Sequence, residues 1–521
     1  MKKIINLVSL PLFTFIILSI TIVFVEKFKL NSLIISLFVV SISIIIIILS
    51  IIFRKFYFII FAITISIISL FIQKTINDIK KDYFFVRENI LSSNEVVGFV
   101  NNFTIDKKNR LDFQFRIYGI KKNDTTDYIK VKPFDIMVKV KKENNIPIKR
   151  GDVLIIKDNI ILPQEKICNF SYKEYLFYQK IYGVLQTKCE SIKIIEDKIG
   201  IPIIDKIFKD TLWLERDKLF LQLKNTLSDQ TYAFLISIFF GIREGLSDDV
   251  YLDFQNTGML HLLAISGMNI SFIGTLFLFF LRIFLSKSKA FVISLLLLFC
   301  YIMLILYSAS STRAYIMYAI QAIYFVSGMR TKGISILCFC GIFMIFINPF
   351  CIFDLGFQLS FLATAGILFF SKIIEEKLPQ SIPQKVKSLI SVTLSAFSSV
   401  FILQWALFQK IQFFSLISSL FVVPLFEYMF IFLFFVLIAF YLTKIFFLKF
   451  LIEYPVILFL KIVNLLNHIP ATKLPQIPVA LSYLSLPIMI LIVYLIIPTI
   501  YKKIQNLKIK RFTVDFDKKI T

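Results

Sequence analysis

Long apolar blocks fill both ends of the chain and leave one polar stretch between them. Near the start, apolar residues dominate about 7–25, 30–53 and 56–73, lengths close to the roughly 20 residues that a membrane-spanning helix needs. Further apolar blocks follow at about 259–282, 288–308, 314–329, 333–348, 356–374, 386–408, 411–441, 446–466 and 480–500. The pattern predicts about three transmembrane helices within 1–73 and a transmembrane channel-like domain over 259–500.

The polar stretch, residues 74–210, changes to a period of two. Phe113, Phe115 and Ile117 alternate with polar residues, as a half-buried strand requires. Five strands are predicted, at about 95–104, 111–117, 136–140, 153–161 and 184–195. Five short strands in one small domain favour a closed barrel of the OB-fold type.

Residues 211–258 are predicted to form amphipathic helices, with a start at Ser247 and a stop at Gly258. The predicted fold is therefore an α-helical polytopic membrane bundle with an inserted small, OB-fold-like β-barrel domain. Positive charge marks the chain start and the connector Arg54-Lys55 between the second and third predicted spans, and a basic tail covers 501–521. Because cytoplasmic loops are enriched in positive charge, both termini are expected in the cytoplasm and the β domain outside it.

Composition agrees with a membrane protein, since 57% of the 521 residues are hydrophobic and 60 are Phe. The net charge of +24 is compatible with nucleic acid, anionic lipid or a Lys-rich codon bias, so it decides nothing alone. The only two histidines, His261 and His468, are far apart, and no metal or other cofactor is expected. Cys168 and Cys189 lie outside the apolar blocks and can form a disulfide if their domain is extracytoplasmic.

Polar side chains inside apolar blocks are costly in a membrane and require a reason. On a continuous helix His261 and Asn269 would share one face with Ile265, and Ser266-Gly267 would allow that helix to bend or break. The alternative is a simple packing site, where Ser and Gly let two helices approach closely.

Arg313 follows a run of hydroxyl residues that is typical of a helix start. A cation is disfavoured there by the helix dipole, and near a bilayer its burial costs roughly 2.5–3.5 kcal/mol or more. We expect Arg313 to face water, a carboxylate or a phosphate, unless it only extends to the membrane interface. Asp354 could be a helix N-cap, Gln358 would stack one turn further on, and Gln404 is a lone amide in an apolar helix.

These segments, in this order and spacing, resemble the ComEC family of competence proteins. The likeness is strongest over about 230–440, and it rests on Gly241–Leu246, Thr257-Gly258, His261–Gly267, Arg313-Ala314, Asn348-Pro349 and Asp354–Phe361. It implies a membrane channel for single-stranded DNA, with His261, Ser266, Asn269, Arg313, Asp354, Gln358 and Gln404 as candidate lining residues.

The chain departs from the family pattern in two respects. Family members commonly carry His where Asn269 stands, and Asn where Ser419 precedes Pro424. Many members also carry a C-terminal metallo-β-lactamase-like domain, whose histidine cluster the two histidines here cannot supply. We therefore expect another polypeptide to degrade the strand that is not transported.

The resemblance implies that the β domain holds single-stranded DNA through basic and aromatic side chains. Arg116, Tyr118, Lys107 and Lys108 are the candidates, because Phe113 and Phe115 have the parity of core residues. No GxxxxGK[ST] loop is present. A separate DNA receptor, nuclease and cytoplasmic motor are the expected partners, beside DNA and membrane lipid.

Two alternatives remain at this stage. One is an intramembrane enzyme with His261 as base and Ser266 as nucleophile, although a separation of five residues places them on different helix faces. The other is a transporter of a small solute or cell-envelope glycan, which would leave a basic β domain unexplained.

Overall fold

In a computed structural model, the structure describes residues 57–89, 93–101, 105–107, 110–122, 128–141, 148, 150–163, 172–195, 209–243, 245–263, 265–305, 309–328, 332–408, 410–411, 414–467 and 472–473, with positions 19 and 22. The predicted spans 7–25 and 30–53 are thus almost entirely outside the described residues, as are the last span, 480–500, and the basic tail.

The first long helix, α1 (Tyr57–Asn89), runs from the third predicted span into the polar region. Its 33 residues correspond to about 50 Å at 1.5 Å per residue. Ile72, Ile76 and Ile79 are buried three or four residues apart, so one face of the helix packs into a core. That core also contains strand residues and helix residues from beyond position 330.

The polar stretch forms a sheet of eight strands. They are β1 (Ser93–Val100), β2 (Ile105–Lys107), β3 (Arg110–Lys122), β4 (Ile129–Lys141), β5 (Val153–Ile156), β6 (Ile160–Ile161), β7 (Ile181–Lys188) and β8 (Ile192–Ile195). Phe113, Phe115 and Ile117 are buried as their alternation predicts. The predicted strands 153–161 and 184–195 are each divided into two.

The strand order is β6-β7-β4-β3-β1-β5-β8, with β2 paired to β3. Pairing is antiparallel except between β4 and β7, which are parallel. The sheet is open, so the predicted closed barrel is not confirmed. The physical reason is that closure needs the two end strands to pair, and among the described residues β6 pairs only with β7 and β8 only with β5.

A short helix, α2 (Tyr172–Tyr178), precedes β7 and lies against it. Leu176 of α2 is buried with Ile181 and Val184 of the strand. Between helix and strand the chain turns through Lys180, whose φ of 60° is the left-handed region that L-residues rarely adopt. A position of this kind persists only where its surroundings hold it.

Residues 209–256 form a π-helical turn (Lys209–Trp213) and three helices, α3 (Leu214–Thr226), α4 (Asp229–Phe240) and α5 (Asp248–Asn256). As predicted, Ser247 caps α5, because its Oγ accepts the Val250 N–H. The carboxylate of Asp253 accepts hydrogen bonds from the side-chain amides of Asn464 and Asn467, at 2.8 and 2.6 Å. Helix α4 is buried on nearly every side rather than amphipathic.

In the described part of the chain, eight α-helices follow: α6 (Gly267–Phe284), α7 (Lys287–Leu304), α8 (Ala309–Val326), α9 (Gly333–Ile347), α10 (Leu355–Lys377), α11 (Gln384–Phe408), α12 (Phe414–Thr443) and α13 (Leu448–Asn467). A small ladder joins β9 (Lys410–Ile411) to β10 (Thr472–Lys473). Among the described residues, five segments are long and apolar enough to cross a membrane: Leu260–Phe284, Lys287–Leu304, Leu355–Lys377, Ser418–Thr443 and Leu448–Asn467.

Helices α10 and α11 pack so closely that their backbones nearly touch. A Cβ added to Gly366 would overlap the Ser399 hydroxyl and lie 2.7 Å from the Ser395 carbonyl oxygen. The hydroxyls of Ser395 and Ser399 bond to carbonyls of their own helix, at 2.6 and 2.7 Å. Small side chains therefore hold α10 in position beside its neighbour.

Candidate functional site

The chain leaves helical geometry just before α6. A 3-10 turn covers Leu260–Leu262, and α6 begins only at Gly267, where Ser266 Oγ accepts the Asn269 N–H at 3.2 Å. The predicted break at Ser266-Gly267 is confirmed. The prediction that His261 and Asn269 share one helical face is wrong, because the capping turn separates them. His261 is exposed, with Nδ1 3.3 Å from the Gly258 carbonyl oxygen.

The start of α6 meets the start of α8. The Gly267 N–H donates to Ser310 Oγ at 3.0 Å, and Ser360 Oγ of α10 donates to the same hydroxyl at 3.3 Å. A side chain at position 267 would overlap the Arg313 guanidinium. A larger residue at this position would displace the end of the Arg313 side chain.

Arg313 lies among these three helices and is 8% exposed. Its Nη1 donates to the Ser360 carbonyl oxygen at 3.3 Å and also to Thr364 Oγ1. We call the group of Ser266, Gly267, Asn269, Ser310, Arg313, Ser360 and Thr364 the polar centre. The structure thus brings three of the predicted lining residues together at one end of the bundle.

The polar centre has spare hydrogen-bond donors and no compensating charge. In the part of the chain that the structure describes, Arg313 forms no ion pair, and its printed acceptors are neutral oxygens. Arg313 Nε and Asn269 Nδ2 are buried without a hydrogen-bond partner among these residues. Asn269 itself is 1% exposed. Since both spare atoms are donors, the chemistry suits an anion.

The side chains of Asp354 and Gln358 form hydrogen bonds outside the polar centre. Asp354 caps α10, because Oδ1 accepts the Phe357 N–H at 2.8 Å, and Oδ2 accepts from Gln179 Nε2 at 3.3 Å. Burial raises the pKa of the Asp354 carboxyl, against the effect of the backbone N–H groups. Gln358 Nε2 donates to the Ile352 carbonyl oxygen at 2.7 Å. Gln404 is half-buried on α11.

Gln179 belongs to the turn through which the sheet domain contacts the bundle. Asn348 Nδ2 donates to the Tyr178 carbonyl oxygen at 3.0 Å, and Lys180 Nζ donates to the Ile347 carbonyl oxygen at 3.2 Å. The Tyr178 ring stacks on Phe353, with centroids 4.8 Å apart. We call the contact of residues 178–180 with 347–354 the junction. Desolvation lowers the pKa of Lys180.

A second attachment supports the junction at the same end of the bundle. The Arg150 guanidinium lies 4.1 Å from the Trp213 ring centroid, within the range of a cation–π contact. Trp213 Nε1 in turn donates to the Met303 carbonyl oxygen at 3.1 Å, near the end of α7. The sheet domain is therefore held at two points.

Arg116, a predicted DNA-binding residue, is engaged within the sheet. Its Nε and Nη2 donate to the two oxygens of Asp135, at 2.7 and 2.9 Å. The amides of Gln114 and Asn101 bond to the same carboxylate. This pairing neutralises much of the charge that a phosphate would need. Tyr118 on β3 is half-buried.

The remaining predicted residues are only partly described. Lys107 ends β2, whereas Lys108 and Cys168 are outside the described residues. Cys189 is buried, with Sγ 3.5 Å from the Lys141 carbonyl oxygen, and the disulfide stays a prediction. Within the described ranges, no cluster of His, Cys, Asp and Glu could hold a metal ion.

Comparison with known proteins identifies the helical region. The sequence model of the family described as "Competence protein" matches residues 238–500, about half of the chain. The chain belongs to the competence protein family. The polar centre and the bundle side of the junction both lie inside the competence match, and with five apolar helices the chain is a multi-pass membrane protein.

One curated relative of this competence chain is ComE operon protein 3 of Bacillus subtilis (strain 168). The two are 26% identical over 209 residues, which is 40% of this chain and 26% of the relative. The chain thus matches about a quarter of the relative's length. No solved structure matches the chain significantly.

Sequence reasoning found Arg313, Ser266 and Asn269 because they are polar within apolar blocks. It missed Thr364 and the junction residues Gln179 and Lys180. Their contacts join positions as far apart as 179 and 354, and no periodicity in either segment signals such a pairing. Only the polar character of the Asn348–Asp354 segment pointed to that region.

Proposed function

We propose that the chain forms a membrane pathway that moves single-stranded DNA into the cytoplasm during natural transformation. The observation that carries the proposal is Arg313, a buried cation without a carboxylate partner among the described residues. A membrane bundle retains such a charge at high cost, and a passing phosphodiester supplies the missing anion. Membership of the competence family supports the same conclusion.

Charge distribution supports an orientation for this pathway. Among described residues 260–405, the lysines and arginines other than Arg313 cluster where α6 meets α7, before α9, and where α10 meets α11: Arg282, Lys287, Lys289, Lys332, Lys372, Lys377, Lys385 and Lys387. Lys287 lies 4.0 Å from the Phe325 ring centroid, which brings the start of α7 beside the end of α8. The junction is at the opposite helix ends. By the positive-inside rule the basic end is cytoplasmic and the sheet domain extracytoplasmic.

The proposal includes an OB-type role for the sheet domain. Only residues 157–159 separate β5, which pairs with β1, from β6, which pairs with β7. The bent segment formed by β5 and β6 therefore pairs near both ends of the strand order. This arrangement is close to the partly open barrel of the OB-fold. A domain of this type would receive the strand before it enters the bundle.

The proposed pathway has no catalytic step of its own, and a separate DNA receptor, nuclease and motor complete it. The rival enzyme would need His261 to act on Ser266. Instead, Ser266 Oγ donates to Asn269 Oδ1 at 3.0 Å and His261 Nδ1 lies beside Gly258. No observation favours the solute transporter.

The test is uptake of labelled DNA by a transformable host that lacks the gene. Complementation with the unaltered chain restores DNA in the cytoplasm, and Arg313→Gln at equal abundance does not. Normal internalisation in the deletion strain would refute the proposal.

A further inference from the structure

The outer face of the parallel strand pair carries a strip of polar and basic side chains. Lys139 pairs with Gln186 and Lys141 pairs with Lys188 across β4 and β7, so all four project from the same face. Their neighbours Val138, Val140 and Leu185 are buried on the other face. We call Lys139, Lys141, Gln186 and Lys188 the basic strip.

Two tyrosines of α2 continue the strip. The rings of Tyr172 and Tyr175 stack with centroids 6.5 Å apart and an interplanar angle of 22°. Lys139 Nζ lies 5.0 Å from the Tyr172 centroid, which joins the strip to the first ring. The second ring, Tyr175, is 42% exposed. An exposed aromatic face beside lysines is what a nucleobase and its phosphate require.

The basic strip and the two tyrosines lie along a path that has one end at the junction with the bundle. Strand β7 starts at Ile181, next to the junction, and Lys188 lies seven residues further, about 23 Å at 3.3 Å per residue. Helix α2 ends at Tyr178, whose carbonyl bonds to Asn348. Desolvation, and then the charge of Asp354, raise the pKa of Tyr175, which agrees with a ring close to the junction.

We infer that the basic strip and the Tyr172–Tyr175 pair bind single-stranded nucleic acid and deliver it to the junction. Phosphates contact Lys139, Lys141 and Lys188, while successive bases stack on Tyr172 and Tyr175. The inference rests on the proposed function and names where the strand passes from the sheet domain to the bundle. The basic strip and the tyrosine pair, rather than Arg116, are then the centre of the DNA-binding surface, because Arg116 is paired with Asp135.

The extent of the strip, more than its charge, favours nucleic acid over the other occupant that tyrosines near a membrane can have, the lipid headgroup layer. Lys173 adds to the three lysines of the strip, against the exposed carboxylates of Glu174 and Glu190. The strip also extends along the strands away from the bundle. A contact with headgroups would instead be confined to the edge of the sheet domain next to the bundle.

The test uses the full chain in nanodiscs of zwitterionic lipid and a fluorescent oligothymidine. Tyr175→Ala should weaken binding by about 5- to 150-fold, the range for one lost base–aromatic stack. Tyr175→Phe keeps the stacking face and should bind within about twofold of the unaltered chain. An oligonucleotide carrying 5-bromodeoxyuridine should photocrosslink to the α2 peptide.

The matched control is Tyr128→Ala, which should bind as the unaltered chain does. Tyr128 has the same exposed fraction, 42%, and Lys121 lies 5.9 Å from its centroid, but it is not part of α2. Unchanged affinity in Tyr175→Ala would overturn the inference while DNA uptake by the chain stood. Altered lipid partitioning with unchanged oligonucleotide affinity would assign the tyrosines to the membrane instead. A deletion strain that still internalises DNA would remove both proposals.

Discussion

At the residue scale, three arginines differ in their partners, and the side chains of two of them, Arg216 and Arg313, are largely buried. Arg116 is bonded through two nitrogens to Asp135, and Arg216 Nη2 lies 2.7 Å from Asp217. Arg313 has neutral oxygen acceptors among the described residues. A buried charge without a counter-charge lowers stability, so its presence calls for a role outside folding.

Arg313→Gln should therefore make the protein more stable and less active. Removing the uncompensated charge is expected to raise stability by about 1–3 kcal/mol, and Tm by a few degrees, while DNA uptake falls at least tenfold. Fluorescence-detected thermal unfolding and uptake of labelled DNA are the measurements.

Arg216→Gln is the control for this prediction. It removes the ion pair between Arg216 and Asp217 and should lower Tm, with uptake following protein abundance. If Arg313→Gln also lowered Tm and abundance, Arg313 would be a structural residue.

At the element scale, the contact between α10 and α11 determines where Ser360 and Thr364 face Arg313. Gly366 lies two residues beyond Thr364 on α10 and against Ser395 and Ser399 of α11. One atom that an added Cβ would meet is the backbone carbonyl oxygen of Ser395, which cannot rotate away. The two helices must therefore separate to admit a side chain at position 366.

Gly366→Ala should lower the free energy of unfolding by about 1–3 kcal/mol and reduce uptake. Thermal unfolding in detergent measures the first effect. Gly119→Ala is the control, since an added Cβ there meets its nearest atoms at 3.8 Å or more. Equal Tm values for the two variants would show that the helices adjust freely.

Elements were predictable where a single periodicity dominates. The alternation in 111–117 located a strand, and Ser266-Gly267 marked the start of α6. The separation of His261 from Asn269 could not be predicted from periodicity. The prediction assumed one continuous helix, and the Ser266 cap interrupts it. The closed barrel is not confirmed for a comparable reason, since β8 pairs with β5 and local sequence gives no sign of a pairing between these two segments.

For the whole molecule, the junction decides how the sheet domain and the bundle move relative to each other. Its polar bonds join segments about 170 positions apart in the sequence. Lys180 keeps its left-handed backbone where Nζ reaches the end of α9. A contact of this kind holds the sheet domain at a fixed place above the polar centre.

Asn348→Ala leaves the Tyr178 carbonyl without its donor and should loosen the sheet domain, at a cost of about 1–3 kcal/mol locally. Limited proteolysis should then cut between sheet and bundle several-fold faster. Asn464→Ala, which removes an amide from Asp253 inside the helical region, should not change that rate. Equal cutting in both variants would indicate general destabilisation.

The proposed orientation can be measured on intact cells with a membrane-impermeant maleimide, starting from a variant without the native cysteines. Gln186→Cys on the sheet should react from outside, and Ser288→Cys in the exposed first turn of α7 should react only after permeabilisation. The opposite labelling pattern would invert the membrane orientation and contradict uptake through the sheet domain.

The two ends of the sheet are short strands, two residues in β6 and four in β8. Long unpaired edges invite neighbouring copies to add strands, which leads to aggregation. Among the described residues, these end strands themselves offer only two and four residues for such pairing. Copies of the protein crowded in one membrane should therefore resist association through β6 and β8.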